Sequence, residues 1–437
     1  MAAITFDEIP AKLRALLDEL GNDLVEISTL YAIRDLWGRV RFLVPQRPEP
    51  SSRTAKALEQ LARSARERLG AHAHPPSQAV LYATDLESGI DGLTTLPSFE
   101  IAPGPPVLRL IDRQITGLSW ATVEEGAPAP YGLRRVAFYS IKGGVGRSTA
   151  AAAAAWHLAR EGQTVLVLDL DLEAPGLSSS LLPADRQPEF GIVDWFVEDA
   201  VDQSDAVVSR MTAASPLAND LPGEIWVVPS HGAAAGEYIA KLGRCYLDLP
   251  REGAGEPWEH RLMRLLRSLE EARSPDVVLL DVRSGFQDLA SVALTDLGAD
   301  VLLFAVGTVQ TWSAYRLLFE HWRRAGVISA LRERLQVIAA LVPETERQVY
   351  LSSFQQDAWD LFLNHVYDVV EGAEIDAFSF DLSDPSAPHH PVPIFWHRGL
   401  ATLSTFDDLD PQLVEAAFGL FLERLVQLLS AREGTTE

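Results

Sequence analysis

RRVAFYSIKGGVGRSTAAAAAAWHLA, residues 134–159, is the stretch that decides the fold of this 437-residue chain. An apolar run typical of a β-strand leads into a glycine-rich loop and then into an alanine-rich helix. Glycine adopts left-handed torsions and lets a ligand approach the main chain closely, so Gly143, Gly144 and Gly146 predict a tight loop. The amides of such a loop, and the N-terminus of the helix after it, point at an anion. The stretch therefore predicts a phosphate-binding site.

The loop departs at two positions from the strict P-loop pattern G-x-x-x-x-G-K-[ST]. Ile141 stands in place of the first glycine, and Arg147 stands in place of the lysine. Lys142 opens the loop, although the chain holds only four lysines among its 37 basic residues. A lysine at this point runs against the composition of the chain, which indicates a specific role for Lys142.

The segment KGGVGRST, residues 142–149, resembles the deviant Walker A loop K-G-G-x-G-K-[ST]-[ST] of the MinD/ParA family of dimerising P-loop ATPases, with Arg147 as its one departure. The resemblance implies an α/β fold with a doubly wound, mostly parallel sheet, and ATP and Mg²⁺ as cofactors. It also implies that one run of loop residues contacts the nucleotide: Gly143, Gly144, Val145, Gly146, Arg147, Ser148 and Thr149.

The same resemblance implies individual roles. Amides of residues 145–149 would cradle the β-phosphate, Thr149 would reach the α-phosphate, and Ser148 would offer its hydroxyl to Mg²⁺. Arg147 would supply the positive charge of the loop. A planar guanidinium is bulkier than an ammonium, so this exchange predicts slow turnover. Lys142 would reach across a homodimer to the partner's nucleotide, so that hydrolysis requires two ATP-loaded subunits to meet.

A second apolar run, TVLVLDLDLEAPGL, contains Asp169 and Asp171. A continuous apolar run favours a parallel strand covered on both faces, and ligands bind at the carboxyl ends of such strands. Both aspartates are therefore expected at the phosphate site. By resemblance Asp171 positions the water that attacks the γ-phosphate, and Asp169 supports the Mg²⁺ region. The alternative is that the pair only caps a helix, which the sequence leaves open.

A third run, DVVLLDVRSGF, resembles the Walker B element of the same family. The resemblance implies that Asp281 holds Mg²⁺ through water and that the Gly285 amide meets the γ-phosphate. Relatives mostly have proline or alanine before this glycine, whereas Arg283 and Ser284 stand here. Arg283 is either a surface residue or an additional phosphate or partner contact, and the sequence does not decide between them.

Three further segments resemble the family more weakly, at residues 223–230, 299–318 and 336–343, and each predicts another strand. Many relatives read the adenine with an asparagine after the last of these strands. Leu341, Val342 and Pro343 stand in that region here. ATP rather than GTP is therefore implied by the family alone.

Composition limits the partners and the location of the chain. Its 61 acidic residues outnumber 37 basic ones, which gives a formal net charge of −24. Nonspecific DNA binding needs a basic face, so this balance argues against nucleic acid as a partner. No apolar run approaches 18 residues and the N-terminus is acidic, so we expect neither a spanning helix nor a signal peptide, and a cytoplasmic protein. The C-terminal helix predicted at residues 410–432 carries acidic residues beside its arginines, which argues against binding to anionic lipid.

The single cysteine, Cys245, excludes disulfides and any cysteine-ligated iron–sulfur cluster within one chain, and it is predicted to be buried. We expect His389 and His390 to bind no metal, because adjacent side chains of an extended loop point apart.

The chain is predicted to contain a small α+β domain at residues 1–121, a linker at 122–132 and the ATPase domain at 133–437. In the first domain, Thr5 and Glu8 form a capping box before a helix, a hairpin turns around residues 35–38, and a second helix spans residues 52–69. Trp37 and Trp120 are predicted to pack inside. No catalytic motif occurs there, so the domain is interpreted as a possible partner-binding module.

The sequence favours an ATP-binding, ATP-hydrolysing dimerisation switch that controls the recruitment of a protein partner. One alternative is a nucleotide-sensing scaffold with little hydrolysis, because Arg147 replaces the P-loop lysine. A DNA-partition ATPase is the other alternative, and the acidic balance argues against it.

Overall fold

The computed structural model describes residues 4–86, 96–123, 133–251, 254–369, 377–400 and 410–431. The chain divides into two compact units, Met1–Thr122 and Val123–Glu437. Each unit has its own sheet and its own hydrophobic core. Most of the predicted linker at residues 122–132 lies outside the described residues.

The N-terminal unit is a sheet covered by two helices. Its strands are β1 (Thr29–Arg34), β2 (Val40–Val44), β3 (Val80–Tyr82), β4 (Ser98–Ala102) and β5 (Val107–Asp112), and its helices are α1 (Ile9–Leu20) and α2 (Arg53–Leu69). The strand order is β3-β2-β1-β5-β4. Strands β1 and β2 pair antiparallel around the predicted turn. The capping box of Thr5 and Glu8 and the N-cap of α2 by Ser52 are also present.

One prediction for this unit is wrong. Trp37 does not pack inside, since it lies in the turn between β1 and β2 and is 80% exposed. Trp37 is in the middle of the turn that Gly38 closes onto Asp35, where its ring faces solvent beside the half-exposed Leu36. Trp120 is buried as predicted. Strand β4 was not predicted from the sequence.

The C-terminal unit is an α/β layer structure. Its strands are β6 (Arg134–Ser140), β7 (Thr164–Leu170), β8 (Ala213–Ala214), β9 (Glu224–Val228), β10 (Leu249–Arg251), β11 (Ala254–Glu256), β12 (Val277–Val282), β13 (Asp300–Ala305), β14 (Leu335–Val342) and β15 (Val392–Phe395). Its helices are α3 (Arg147–Arg160), α4 (Leu177–Leu181), α5 (Ile192–Asp199), α6 (Asp205–Val208), α7 (Tyr238–Leu242), α8 (Trp258–Arg273), α9 (Asp288–Thr295), α10 (Val309–Ala325), α11 (Ile328–Leu331), α12 (Arg347–His365) and α13 (Pro411–Ala431).

The main sheet of this unit runs β15-β14-β13-β6-β12-β7-β9-β8. All neighbouring strands in it are parallel except β8 and β9. The strands that follow β6 in the sequence lie on both sides of it, as in a doubly wound sheet. The predicted fold class is therefore confirmed. Strands β10 and β11 form a separate hairpin.

Strand β6 is central, and the glycine loop follows it at the carboxyl edge of the sheet. Strand β12 lies beside β6 on one side and pairs with β7 on its other side. The alanines of α3 are fully buried, because small side chains let this helix lie close to the sheet. The C-terminal helix α13 packs on the same core, as the sequence predicted. These contacts fix the loop against the ends of β7 and β12.

Candidate functional site

The glycine loop between β6 and α3 has the backbone that its sequence predicts. Gly144 and Gly146 adopt φ values of 75° and 78°, in the left-handed region. Gly146 immediately precedes α3, so the first amides of that helix lie next to the loop. Ile141 and Val145 are buried and anchor the loop from below, while Lys142 is exposed.

Three carboxylates lie at the ends of the neighbouring strands. Asp169 of β7 and Asp281 of β12 are register partners, and Asp171 follows β7 directly. Asp169 and Asp281 are both buried. Parallel strands end at the same edge of a sheet, and this brings the predicted aspartates together from separate parts of the sequence.

Asp169 also has the capping role that the sequence left open. Its Oδ2 accepts hydrogen bonds from the amides of Gly176 and Ser178 at 3.2 and 3.0 Å, and from Ser178 Oγ at 2.9 Å. Its Oδ1 is buried without a hydrogen-bond partner in the described part of the chain. Burial, together with the nearby charge of Asp281, raises the pKa of Asp169 to about 6. One carboxylate oxygen therefore stabilises the loop and the other is unsatisfied.

The guanidinium of Arg147 points at these carboxylates. Its Nε donates to Asp281 Oδ1 at 2.7 Å, its Nη1 donates to Ser140 Oγ at 3.0 Å, and its Nη2 lies 3.5 Å from Asp171 Oδ2. The side chain of Arg147 is 8% exposed. Burial raises the pKa of Asp281, and the charge of Arg147 opposes that rise. The positive charge of the loop is thus used to neutralise acids of the protein itself.

Arg283, whose role the sequence left open, lies in the loop after β12 and contacts the loop after β7. Its Nη1 is 3.2 Å from Asp171 Oδ1 and 3.4 Å from Glu173 Oε2. Tyr246 donates from its hydroxyl to the other oxygen of Glu173 at 2.8 Å. The sequence analysis did not identify Glu173 or Tyr246 as site residues. The only signal for Glu173 was its acidic side chain two positions after Asp171.

The Gly285 amide is already engaged. Gly285 has φ 84°, its N–H donates to the Ser140 carbonyl at 3.1 Å, and its own carbonyl accepts from the Tyr139 hydroxyl at 3.1 Å. The predicted contact with a γ-phosphate requires this amide to exchange its partner. Lys142 is exposed and makes no ion pair with any described residue.

The oxygen atoms of the site suit a hard divalent cation. The Ser148 side chain lowers the pKa of Asp281, and the unsatisfied Asp169 Oδ1 adds a buried acceptor. Among the described residues, no three His, Cys, Asp or Glu side chains are arranged to hold a metal alone. Mg²⁺ keeps several waters and takes phosphate oxygens, so it needs only one or two carboxylates. The residues therefore fit Mg²⁺ that arrives with a nucleotide.

Residues 133–195, which include the loop, Asp169 and Asp171, match the family model ParA, described as a NUBPL iron-transfer P-loop NTPase. This segment is a MinD/ParA-like P-loop. A P-loop of this family implies nucleotide binding. Iron transfer does not follow for this chain, because its only cysteine, Cys245, is buried and burial raises the pKa of that thiol to about 12.

Several solved structures resemble the chain at low sequence identity. A plasmid partition protein from Borrelia burgdorferi is 14% identical with a TM-score of 0.40, covering 67% of this chain and 98% of its own. A ParA family ATPase from Chlorobium tepidum TLS is 13% identical with a TM-score of 0.43, covering 66% and 98%. The pNOB8 ParA protein bound to nonspecific DNA is 14% identical with a TM-score of 0.41, covering 70% and 100%.

No curated protein sequence matches the chain significantly. Within the described helices, none is long and apolar enough to cross a membrane.

Proposed function

We propose that the chain is an ATP-binding and ATP-hydrolysing dimerisation switch of the MinD/ParA type, which acts in the cytoplasm and controls the recruitment of a protein partner. The observation that carries this proposal is the glycine loop between β6 and α3. Its left-handed glycines lie at the edge of the sheet where Asp169, Asp171 and Asp281 come together. Amide donors, cations and carboxylates at one edge are the parts that phosphoryl transfer requires.

In the proposed reaction the loop amides and the N-terminus of α3 bind the phosphates, because these groups carry partial positive charge. Asp171 orients the attacking water, and Ser148 and Asp281 would hold Mg²⁺. Bound Mg²⁺ would supply charge neutralisation at the phosphates. Arg147 turns from its own carboxylates toward the triphosphate. This step exchanges one set of ion pairs for another, which agrees with slow turnover.

Lys142 supports the dimeric part of the proposal. Its side chain is exposed beside the loop and forms no ion pair in the part of the chain that the structure describes. An ammonium in this position can reach the nucleotide of a second copy placed face to face. Charge supplied from another subunit makes hydrolysis depend on dimer formation.

The test is the molar mass of the full chain by light scattering, with and without Mg²⁺ and AMPPNP. The wild type is expected to change from monomer to dimer with nucleotide, whereas Lys142→Ala is expected to bind nucleotide and stay monomeric. Lys56→Ala removes another exposed lysine, on α2, and is the matched control that should dimerise normally. The proposal is contradicted if the wild type binds no nucleotide, or if its molar mass is the same with and without nucleotide.

A nucleotide-sensing scaffold with little hydrolysis is the second candidate, and the ion pairs of Arg147 favour it. The guanidinium contacts Asp281 at 2.7 Å and approaches Asp171 within 3.5 Å. A planar guanidinium with several donors can hold both carboxylates, while a compact ammonium cannot fork in this way. A protein with these ion pairs binds a nucleotide, but Arg147 does not readily release Asp171, the acid that orients the attacking water.

Replacing Arg147 by lysine separates the two candidates. On the scaffold interpretation, Arg147→Lys raises ATP turnover by about tenfold or more, since the acids are freed. On the switch interpretation, the wild type already turns over and the variant changes its rate less. Phosphate release measured in single turnover, with nucleotide affinity measured in parallel, distinguishes a change in chemistry from a change in binding.

A protein partner is proposed to bind through the N-terminal unit. The support is that this unit has its own core and sheet, while the phosphate site is built entirely from the C-terminal unit.

A further inference from the structure

Arg283 links the loop after β7 to the loop after β12. Its Nη1 lies 3.2 Å from Asp171 Oδ1 and 3.4 Å from Glu173 Oε2, and both acids belong to the first loop. The Arg283 side chain is 29% exposed and that of Asp171 is 15% exposed. Solvent therefore screens this bridge only in part, and it joins segments that are far apart in sequence.

Asp171 is shared between two arginines, one at each oxygen. Arg147 Nη2 lies 3.5 Å from Oδ2, whereas Arg283 and the Ala174 amide, at 3.1 Å, serve Oδ1. A triphosphate in the loop would compete for Arg147. The contacts at Oδ1 do not depend on Arg147, so they can keep the carboxylate oriented after Arg147 leaves.

Glu173 fixes the outer end of this bridge. Its second oxygen accepts a hydrogen bond from the Tyr246 hydroxyl, and the Tyr246 ring packs edge-on against Trp258 with ring centroids 5.1 Å apart. Trp258 is buried at the start of α8. The chain of contacts thus runs from Asp171 through Arg283 and Glu173 to the body of the unit.

We propose that Arg283 is a positioning residue, which holds the carboxylate of Asp171 and makes the two loops move as one when a nucleotide draws Arg147 away. This inference rests on the proposed function, in which Asp171 orients the attacking water. Arg283 acts through Asp171 and is not a ligand of the phosphates.

The first test is amide hydrogen exchange of the nucleotide-free full chain. Arg283→Gln is expected to speed exchange about fivefold in both loops, at residues 172–178 and 283–287, because a partly exposed ion pair that holds them is lost. Arg283→Lys keeps the charge and is expected to restore part of the protection. Unchanged exchange at residues 172–178 in Arg283→Gln overturns the proposal.

Arg332→Gln is the matched control. Arg332 pairs with Asp368 at 2.6 Å, with 22% and 40% of the side chains exposed, and it precedes β14 at the opposite edge of the sheet. Its loss should leave both loops unchanged. If Arg283→Gln does not fold, Glu173→Gln weakens the longer arm of the bridge, leaves the contact with Asp171, and should speed exchange at residues 283–287 by a smaller factor.

The second test is the affinity for AMPPNP with Mg²⁺, measured by calorimetry. Arg283→Gln is expected to bind within about threefold of the wild type, whereas Arg147→Gln loses about tenfold or more because it removes a charged donor to phosphate. Equal losses would make Arg283 a phosphate ligand and overturn the positioning role. A wild type that does not bind AMPPNP contradicts the proposed function, while the exchange test of Arg283 still decides this inference.

Discussion

Asp169 is a buried acid whose charge the fold stabilises poorly. It is fully buried next to Asp281, and one of its oxygens has no hydrogen-bond partner in the described chain. Burial raises its pKa from 3.8 to about 6, against the hydrogen bonds from Ser178 that favour the carboxylate. An unsatisfied acid of this kind reduces stability unless a cation or a proton meets it.

The first prediction is that the free energy of unfolding falls as the pH rises toward the pKa of Asp169. Between pH 3.8 and about 6 the folded state binds more protons at this group than the unfolded state, so the free energy of unfolding decreases with pH. Asp169→Asn removes this dependence. Above pH 6 the variant is expected to be more stable than the wild type by about 1–3 kcal/mol, and below pH 4 the two should agree.

Urea unfolding of both proteins at a series of pH values, without nucleotide or Mg²⁺, measures this difference. Asp220→Asn, which changes an exposed aspartate of the same unit, is the control substitution. A constant difference for Asp169→Asn would show that the carboxylate ionises in the fold without penalty.

The glycine loop is the element that sets the geometry of the site. Its residues Gly144 and Gly146 need left-handed torsions, which cost other residues about 1–2 kcal/mol. A Cβ at Gly146 would also lie 3.5 Å from Leu341 Cδ2, whereas a Cβ at Gly144 would meet nothing within 4 Å of it. The space around Gly144 is therefore open to a ligand.

The second prediction compares two glycines with the same backbone constraint. Gly144 has φ 75° and Gly162, in the turn after α3, has φ 90°, and a Cβ built at either glycine meets nothing within 4 Å. Replacing either by alanine is expected to cost about 1 kcal/mol of stability. Only Gly144→Ala is expected to weaken AMPPNP binding, by about tenfold, because its methyl group lies where phosphate approaches. Calorimetric titration measures the affinity for AMPPNP, and thermal unfolding measures the loss of stability. Equal AMPPNP affinities for Gly144→Ala and Gly162→Ala would exclude phosphate from this loop.

At the scale of the whole molecule, the C-terminal helix completes the core beneath the site. Helix α13 packs against the central sheet. The ring centroid of Phe421 lies 6.3 Å from that of Phe138 and 6.2 Å from that of Phe304. Phe138 belongs to β6, the strand that leads into the loop. The end of the described chain therefore supports its central strand.

The third prediction is that α13 is required for the stability of the C-terminal unit. Phe421 is 1% exposed, and Phe421→Ala is expected to cost about 3–5 kcal/mol, because it leaves a cavity against β6. Leu420 is 50% exposed on the same helix, and Leu420→Ala should change the free energy of unfolding by about 0.5 kcal/mol or less. Urea unfolding gives both values. A Phe421→Ala effect as small as that expected for Leu420→Ala would contradict the prediction.

The sequence predicted the parts of the site that depend on local pattern. The strands before the loop, before Asp171 and around Asp281 follow from apolar runs, and the loop torsions follow from its glycines. Trp37 shows the limit of such reasoning, since an aromatic residue in a turn packs only if another segment covers it. Strand β4 was missed because its sequence, SFEIA, is short and mixes polar with apolar residues.

By itself the sequence determined the fold class, the glycine loop and the edge of the sheet at which the carboxylates gather, because these follow from local propensity and the common direction of parallel strands. Only the tertiary structure decided where the arginines point. Arg147 finds Asp281 across 134 residues, and Arg283 finds Asp171 across 112. A long flexible side chain has several partners within its reach, and the choice among them depends on which charges the fold has already buried nearby.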